Sequence, residues 1–574
     1  MVASAANSTT TTTIRERDGE QILCFSSSVY PILMAETNDQ CLVQVNPPEN
    51  SFLCFNSSSF QLLSDNSNND FMSCTLDDGP LETLNLIDAV QRLGIDYRFR
   101  TEIDDILERH YAILVKLNGD LINDNNLYEV SLRFRLLRQR GYFVPSEVFN
   151  VFMDEEKQFK QNLEQDIKGL MSLYEASQLC LPGEHILDQA QNFSSQILRE
   201  YITNNIDCKE ANAAARTLAN PYHTSFSKFM VKDYFGVGDL HATNNKWALA
   251  LQQVAKIDFS MAQNMHQQEL FQFTRWWKET GLGKALPFAR DQPLKWYICS
   301  LVCLIDLCFS EERVELAKPV SFIYLIDDMF DVHGSIDQLT LFTEAVQGWD
   351  ATIAEALPEC MKICFKALYE MTNEISSKIY KKHGWNPINS LQKSWAKLCE
   401  AFLVEGRWFD SGDSPSAEDY LRNGVVSSGV HVVLVHVFFL LGLSITNQTV
   451  HLLDNDPLII SSAATILRLQ DDLGTAKDEN QEGYDGSYVN YYMMDNQDAS
   501  LETTRNHIAN LISNAWKNLN KQCLSSNNPF PPAFIEASLN IARFVPILYG
   551  YDQNQNLPML EKLVKSMLYE TVQM

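Results

Sequence analysis

Positive charge is what this sequence is short of. Its 45 Lys and Arg stand against 73 Asp and Glu, a formal net charge of −28 at pH 7 over 574 residues. Such a surface repels nucleic acid and anionic membrane, so neither is expected as a partner. It also poses a problem, because a phosphate-bearing ligand would need metal ions or a local group of Arg and Lys to hold it. Cysteine motifs are missing as well. The 13 Cys are scattered without a CxxC pair, and Cys299/Cys303 and Cys360/Cys364, each four apart, merely share a helix face. This excludes a zinc-finger arrangement and reads as reduced, mostly buried thiols of an intracellular protein.

Strand signals are scarce. No NG or DG hairpin sits between alternating apolar runs, and no fixed-period repeat occurs. After about Pro80 the pattern is helical. In LETLNLIDAVQRLG, Leu84, Ile87 and Val90/Gln91 recur on one face and the run closes at Gly94. An all-α chain of two helical domains is expected, with a boundary in GVGDLHATNN near 236–245: an N-terminal helical domain over 80–245 and a C-terminal one over 246–574. Residues 1–79, rich in Ser, Thr and Asn, read as a poorly ordered extension. Its basic residues Arg15 and Arg17 are outnumbered by Glu16, Asp18, Glu20, Glu36 and Asp39, which argues against an import peptide and favours cytoplasm over plastid. The uncharged stretch Gly429–Ile445 falls just short of a membrane span and contains His431 and His436, so a helix buried on all sides is expected and no integral span. The chain is expected to be a monomer.

Two carboxylate patterns carry chemistry. In VSFIYLIDDMF and the following Asp331, an apolar helix ends in Asp327, Asp328 and Asp331. Asp327 and Asp331 stand at i and i+4 on one face, while Asp328 lies about 100° round the axis and supports rather than ligates. Like charges one turn apart repel, and a hard divalent cation, Mg²⁺ or Mn²⁺, offsets that cost. An acidic chain also produces such strings by chance. Asp104, Asp105 and Glu108 form one on a polar helix, assigned to a solvated face. The second pattern, ILRLQDDLGTAKDE, sets Asp471, Thr475 and Glu479 at i, i+4 and i+8, so that three oxygen ligands line one face. Arg468, one turn earlier, points the same way and can reach a phosphate oxygen.

Together these elements resemble the class I terpene synthases of plants. FIYLIDDMFDVHGSIDQLTLFTEAVQGWD (Phe322–Asp350) is similar to that family's aspartate-rich helix, and LIDAVQRLGIDYRF, FRLLRQRGY and LYEAS look like its N-terminal domain, so the resemblance runs over about 80–574. It implies a catalytic C-terminal bundle behind an inactive helical domain. It also implies three Mg²⁺ held over a prenyl diphosphate by Asp327 and Asp331 on one side and Asp471, Thr475 and Glu479 on the other, with Arg290 and Arg468 on diphosphate oxygens. The family's RxR is here Arg290-Asp291-Gln292, so only the first Arg carries over. Cys299 stands where many cyclising members carry Trp. No DxDD occurs, which leaves protonation-initiated cyclisation unsupported, and DDLGT lacks the third Asp of a chain-elongating prenyltransferase.

FARDQPLKWY, DENQEGYDGSY and YDQNQNLPMLEKLVKSMLYE look like the subfamily making acyclic products. The expected reaction is ionisation of geranyl or farnesyl diphosphate followed by water capture, giving linalool or nerolidol. The alternatives are an olefin such as myrcene or ocimene, a cyclic sesquiterpene, prenyl chain elongation, or isoprenoid binding without catalysis. Trp296 and Tyr549 are candidate walls of the cation pocket, and Ser427, Ser428 and Gly429 fall where the family kinks a helix beside it.

Overall fold

The computed structural model describes residues 80–116, 126–206, 208–226, 228, 231–232, 234, 246–475, 487–525, 527–552 and 556–570. No strand occurs among them, only one isolated bridge between Met153 and Phe159. The N-terminal part comprises α1 (Pro80–Arg92), α2 (Arg100–Lys116), α3 (Leu127–Gln139), α4 (Ile167–Ser177), α5 (His185–Asn204) and α6 (Lys209–Ala219). The face anticipated in the first of these is there: Leu84, Ile87, Val90 and Gln91 are all buried, and Gly94 turns the chain at φ 66°. Asn126 and Asp166 start α3 and α4 by accepting the backbone N–H of Glu129 and Gly169. The solvated-face reading of the false motif also holds, since Asp104, Asp105 and Glu108 are exposed on α2.

A 35-residue helix, α7 (Lys246–Thr280), follows. Beyond it come α8 (Pro293–Cys303), α9 (Ser310–Val332), α10 (Ile336–Gly348), α11 (Glu359–His383), α12 (Ile388–Ser411), α13 (Ala417–Ser427), α14 (Val430–Leu441), α15 (Asn447–Asp454), α16 (Leu458–Thr475), α17 (Tyr488–Asp495), α18 (Leu501–Cys523), α19 (Pro532–Leu548) and α20 (Pro558–Val564). Two large cores result, one built from α1–α6 and one from most of α8–α20, with a smaller cluster joining α13, α16, α17 and α18. Helix α7 serves both: Leu251, Val254 and Ala255 pack in the first, Phe259, Phe273 and Trp277 in the second.

The second core is a bundle around α14. Every residue of that helix except Val433 is buried, against α9, α12, α16 and α19. This is why an apolar stretch with two histidines occurs in a chain so acidic. Ala417–Leu441 is long and apolar enough to cross a membrane, and 78% of its most apolar window is buried inside the protein. His431 and His436 each hydrogen-bond through one ring nitrogen, to Ser394 O at 3.0 Å and Val432 O at 2.8 Å, and the other nitrogen of each is buried without a hydrogen-bond partner among the described residues. Burial pushes both imidazoles down to about 4, so they are neutral core groups. All nine cysteines among the described residues are free thiols. Four are buried and one, Cys308, is exposed.

Candidate active site

The first carboxylate group is set by helix α9. Its apolar flank, including Phe322, Leu325, Ile326 and Met329, is buried in the bundle and pins the helix axially. The register then decides where each carboxylate goes. Asp328, 5% exposed, turns inward and accepts the backbone N–H of Arg290 at 2.7 Å, with the Arg290 Nε 2.7 Å from its other oxygen. Burial pushes the Asp328 carboxyl above its ordinary range, and Arg290 works against that push. Asp327 faces the bundle interior and accepts a 2.5 Å hydrogen bond from the same guanidinium. Asp331 stands exposed one turn further on, with no hydrogen-bond or ion-pair partner among the described residues.

The second group comes from α16. Asp471 and Asp472 are both 3% exposed. Asp472 accepts the Tyr420 hydroxyl at 3.1 Å and the Tyr488 N–H at 3.0 Å, tying α16 to α13 and α17. Asp471 faces the interior beside Arg468, whose Nη1 is 3.4 Å away. Burial raises the Asp471 carboxyl and Arg468 opposes that rise. Arg468 is itself fixed by Gly424 O at 3.3 Å and Ser427 Oγ at 3.5 Å. Gly474 lets the backbone of Tyr549 approach α16, since a Cβ there would stand 2.8 Å from the Tyr549 carbonyl oxygen.

Between these groups lies a cavity of about 870 Å³, its open mouth included. Asp327, Asp471 and Arg468 all line it, at its polar end. The rest of the wall is apolar or aromatic: Ile323, Tyr324, Phe402, Leu467, Phe544 and Tyr549 among others, with Cys299 and Cys303 on the α8 side. The expected helix break is present. Helix α13 stops at Ser427, Gly429 takes φ 73°, and α14 restarts at Val430, with Ser427 and Ser428 on the cavity wall. Only glycine fits at 429, because a Cβ would stand 2.8 Å from Ile323 Cγ2, another wall residue. Behind the break, Ser427 donates to the buried Glu405 carboxylate at 2.7 Å.

Of the residues singled out from sequence, Asp327, Arg468 and Asp471 thus line one cavity, and Arg290 is held beside them on Asp327 and Asp328. Thr475 is the last residue of α16, with a side chain outside the description, and Glu479 lies outside the described residues. Tyr549 lines the wall, but Trp296 does not. It is fully buried between α8 and α7, its ring 4.8 Å from that of Trp277, with Tyr324 nearer the cavity. Tyr324, Phe402 and Phe544 were missed, although Tyr324 sits one turn before Asp327 on its own helix and could have been found from that spacing.

Among the described residues, no three His, Cys, Asp or Glu side chains converge to hold an ion alone. The donors are divided between α9 and α16, which present Asp327 and Asp471 to the same cavity. Oxygen donors of this kind, with the Asp331 carboxylate in no ion pair among the described residues, suit a hard divalent ion that also takes oxygens from a substrate.

Residues 278–518 match the family model described as terpene synthase family, metal binding domain, and residues 45–218 match that described as terpene synthase, N-terminal domain. The latter match begins at residue 45, inside the segment set apart above as an extension resembling little of the family. An (E)-nerolidol synthase of Cannabis sativa is 53% identical over 493 residues, 85% of this chain and 88% of that one. The S-(+)-linalool synthase, chloroplastic, of Arabidopsis thaliana is 44% identical over 492 residues, 86% and 85% of the two chains. Among solved structures, the isoprene synthase from grey poplar leaves (Populus x canescens), in complex with three Mg²⁺ ions and dimethylallyl-S-thiolodiphosphate, superposes with a TM-score of 0.79 at 35% identity, over 86% of this chain and 93% of that one. Matched by both domain models and aligned with such relatives along most of its length, the chain belongs to the terpene synthase family, with a C-terminal metal-binding domain.

Proposed function

We propose that this protein is a lyase that ionises geranyl or farnesyl diphosphate, releases diphosphate and yields an acyclic tertiary alcohol, linalool or nerolidol. The observation that carries the reading is the polarity of the cavity, with Asp327, Asp471 and Arg468 at one end and an apolar, aromatic remainder. That division matches a substrate with a polyanionic head and a hydrocarbon tail. Asp327 and Asp331 hold divalent ions on one side, and Asp471, Thr475 and Glu479 hold one on the other. Such ions, three Mg²⁺ in this reading, supply Lewis acidity and charge neutralisation toward the departing diphosphate. Arg290 and Arg468 bind its oxygens through charge-assisted hydrogen bonds.

The tail and the allylic cation occupy the apolar remainder. Tyr324, Phe402, Phe544 and Tyr549 line it with aromatic rings that can attract a carbocation, and burial pushes the Tyr324 and Tyr549 hydroxyls well above their ordinary values, so neither stands there as a phenolate. The wall thiol of Cys299 is likewise neutral, pushed up to about 11 by burial. The acyclic outcome is supported by the likeness to nerolidol and linalool synthases and by a small Cys299 where cyclising members carry Trp. We also read the chain as two functional units, 80–245 without catalytic residues and 246–574 with all of them, acting as a monomer.

Purified protein incubated with Mg²⁺ and each prenyl diphosphate, with volatiles identified by mass spectrometry, tests the reading. Linalool from the C10 substrate or nerolidol from the C15 one is expected, and a mainly cyclic profile overturns it. Chelation of divalent ions should abolish turnover, and Mg²⁺ or Mn²⁺ should restore it; turnover that survives chelation removes the metal assignment.

A further inference from the structure

Helix α8 carries a cation that the reaction as described does not use. Lys295, Cys299 and Cys303 stand at i, i+4 and i+8 and so share one face. Cys299 and Cys303 line the cavity, and Lys295 stands one turn before them on the same face, beside the wall rather than in it. Its ammonium lies 5.4 Å from the centre of the Tyr324 ring, and the Arg290 guanidinium lies 5.1 Å from the centre of that same ring. Two cations thus meet one wall residue, Tyr324.

The surroundings of Lys295 do not reward its charge. It is half-buried, and no carboxylate lies within ion-pair distance of it among the described residues. Buried cations elsewhere are matched: Arg313 with Glu269, Lys318 with Glu315, Arg468 with Asp471. Lys295 is also the third residue of α8, in the first turn, where the helix dipole disfavours a positive charge. In a chain with 28 more acids than bases, an ammonium without a carboxylate partner is conspicuous. The carboxylates whose charge it does sense are Asp471 and Asp327, one from each metal-binding helix. An anion held between those two helices would be within its field, and would offset the burial and the dipole together.

We propose that Lys295 is a third cation of the diphosphate subsite, binding the leaving group alongside Arg290 and Arg468. It supplies from one helical turn away the charge that Gln292 does not. This rests on the reading of the cavity as a prenyl diphosphate site.

The test is the affinity of the full-length protein for inorganic diphosphate in the presence of Mg²⁺, by calorimetry and by competitive inhibition against geranyl diphosphate. Lys295→Met keeps the aliphatic stem on Tyr324 and removes the charge. It should weaken diphosphate binding and raise KM, both by about 10- to 100-fold, the worth of a hydrogen bond to a charged group. Lys295→Arg should recover most of the loss. The melting temperature of each ligand-free variant and its affinity for the neutral alcohol product report on fold and pocket; the first should not fall, and should rise in Lys295→Met as the unrewarded charge is removed, and the second should not move. Unchanged diphosphate affinity in Lys295→Met, or an equal loss in Lys295→Arg, overturns the proposal. If Lys295→Met does not fold, Lys295→Gln takes its place with the same criteria. Failure of the unaltered protein to bind diphosphate with Mg²⁺ would sink the parent reading instead.

Discussion

Asp327 and Asp328 are neighbours in sequence and differ in what they face, so their replacement should separate two effects. Asp327→Ala removes an oxygen donor at the polar end of the cavity, and kcat should fall by at least on the order of 10²–10³-fold, the scale seen when a group stabilising the transition state is lost. Asp328→Ala removes the anchor of the Arg290 backbone and side chain, so KM should rise more than kcat falls. Steady-state kinetics of diphosphate release distinguishes the two, and near-normal turnover in Asp327→Ala would refute the metal assignment. Gly429→Ala adds a Cβ 2.8 Å from Ile323 Cγ2 at a backbone φ of 73°. The left-handed conformation alone should cost about 1–3 kcal/mol, read as a lowered melting temperature. Ile323→Ala in the same chain should relieve the clash and leave the backbone strain, so recovery should be partial.

At this scale the carboxylates and Arg290 were legible in the sequence, because a motif on a regular helix fixes which side chains share a face. The aromatic wall was not. Phe544 and Tyr549 reach the cavity from α19 and the residue after it, about seventy positions beyond Asp471, and periodicity tells that such residues are buried without telling what they enclose. Trp296 shows the converse, since an aromatic near a motif drew attention for its chemistry and turned out to fill the core.

Among the elements, α7 and α9 are joined by a buried ion pair that positions the turn leading into the aspartate helix. Arg313 is wholly buried, bonds both Glu269 oxygens at 2.7 and 2.8 Å, and donates to the carbonyls of Leu304 at 2.7 Å and Asp306 at 2.5 Å. Burial alone would raise the Glu269 carboxyl, but the hydrogen bonds and charge of Arg313, joined by hydrogen bonds from His266 and Ser310, together outweigh it and hold the group down at about 2. Arg313→Leu should therefore destabilise the protein by about 3–5 kcal/mol, the cost of leaving a buried charge unpaired. Glu269→Leu added to it should recover part of that loss, because the stranded charge is then gone. Thermal unfolding of the single and double variants checks this, and full independence of the two losses would contradict it. Nothing in the sequence announced the pair: Glu269 and Arg313 lie 44 residues apart, on helices whose relative placement only the packed bundle defines.

For the whole molecule, the N-terminal helices meet the catalytic bundle through apolar residues, Phe226 and Val231 in the second core and Leu524 against the first, and through a set of polar contacts. Asn520 donates to the carbonyls of Gln178 at 2.9 Å and Cys180 at 3.1 Å, and its side-chain oxygen lies 2.8 Å from His223 Nε2. Arg543 donates to the His223 carbonyl at 2.7 Å, and Lys517 pairs with Asp188 at 2.7 Å. His223 is 1% exposed, and its Nδ1 has no hydrogen-bond partner among the described residues. Burial pushes its imidazole down to about 3, with Arg543 adding to the push. A depressed histidine contributes stability that is whole above its unfolded value near 6.5 and is lost as pH falls from there toward 3. At pH 5 the unfolded chain therefore holds about one proton more at this site than the folded one. His223→Gln should lower the proton uptake on unfolding at pH 5 by that amount, measured by calorimetry in buffers of different ionisation enthalpy. An unchanged uptake would show that His223 is already protonated in the fold.

The two-domain plan was visible in the helical periodicity, while the boundary expected near 236–245 lies outside the described residues; the manner in which the halves join was not visible, because a single amphipathic pattern does not reveal that it serves two partners. Helix α7 packs Leu251, Val254 and Ala255 into one core and Phe259, Phe273 and Trp277 into the other, and between them Asp258 receives Arg98 at 2.6 Å and the Tyr97 hydroxyl. For anyone recombining family members, this rod is a splice whose ends belong to different parents. A chimera cut at residue 245 exports three core residues of α7 into a foreign N-terminal half, and a cut after Thr280 does the reverse with Phe273 and Trp277. Either crossover must carry its matching set of contacts across the seam, or the hybrid inherits a mismatch far from the chemistry it was built to change.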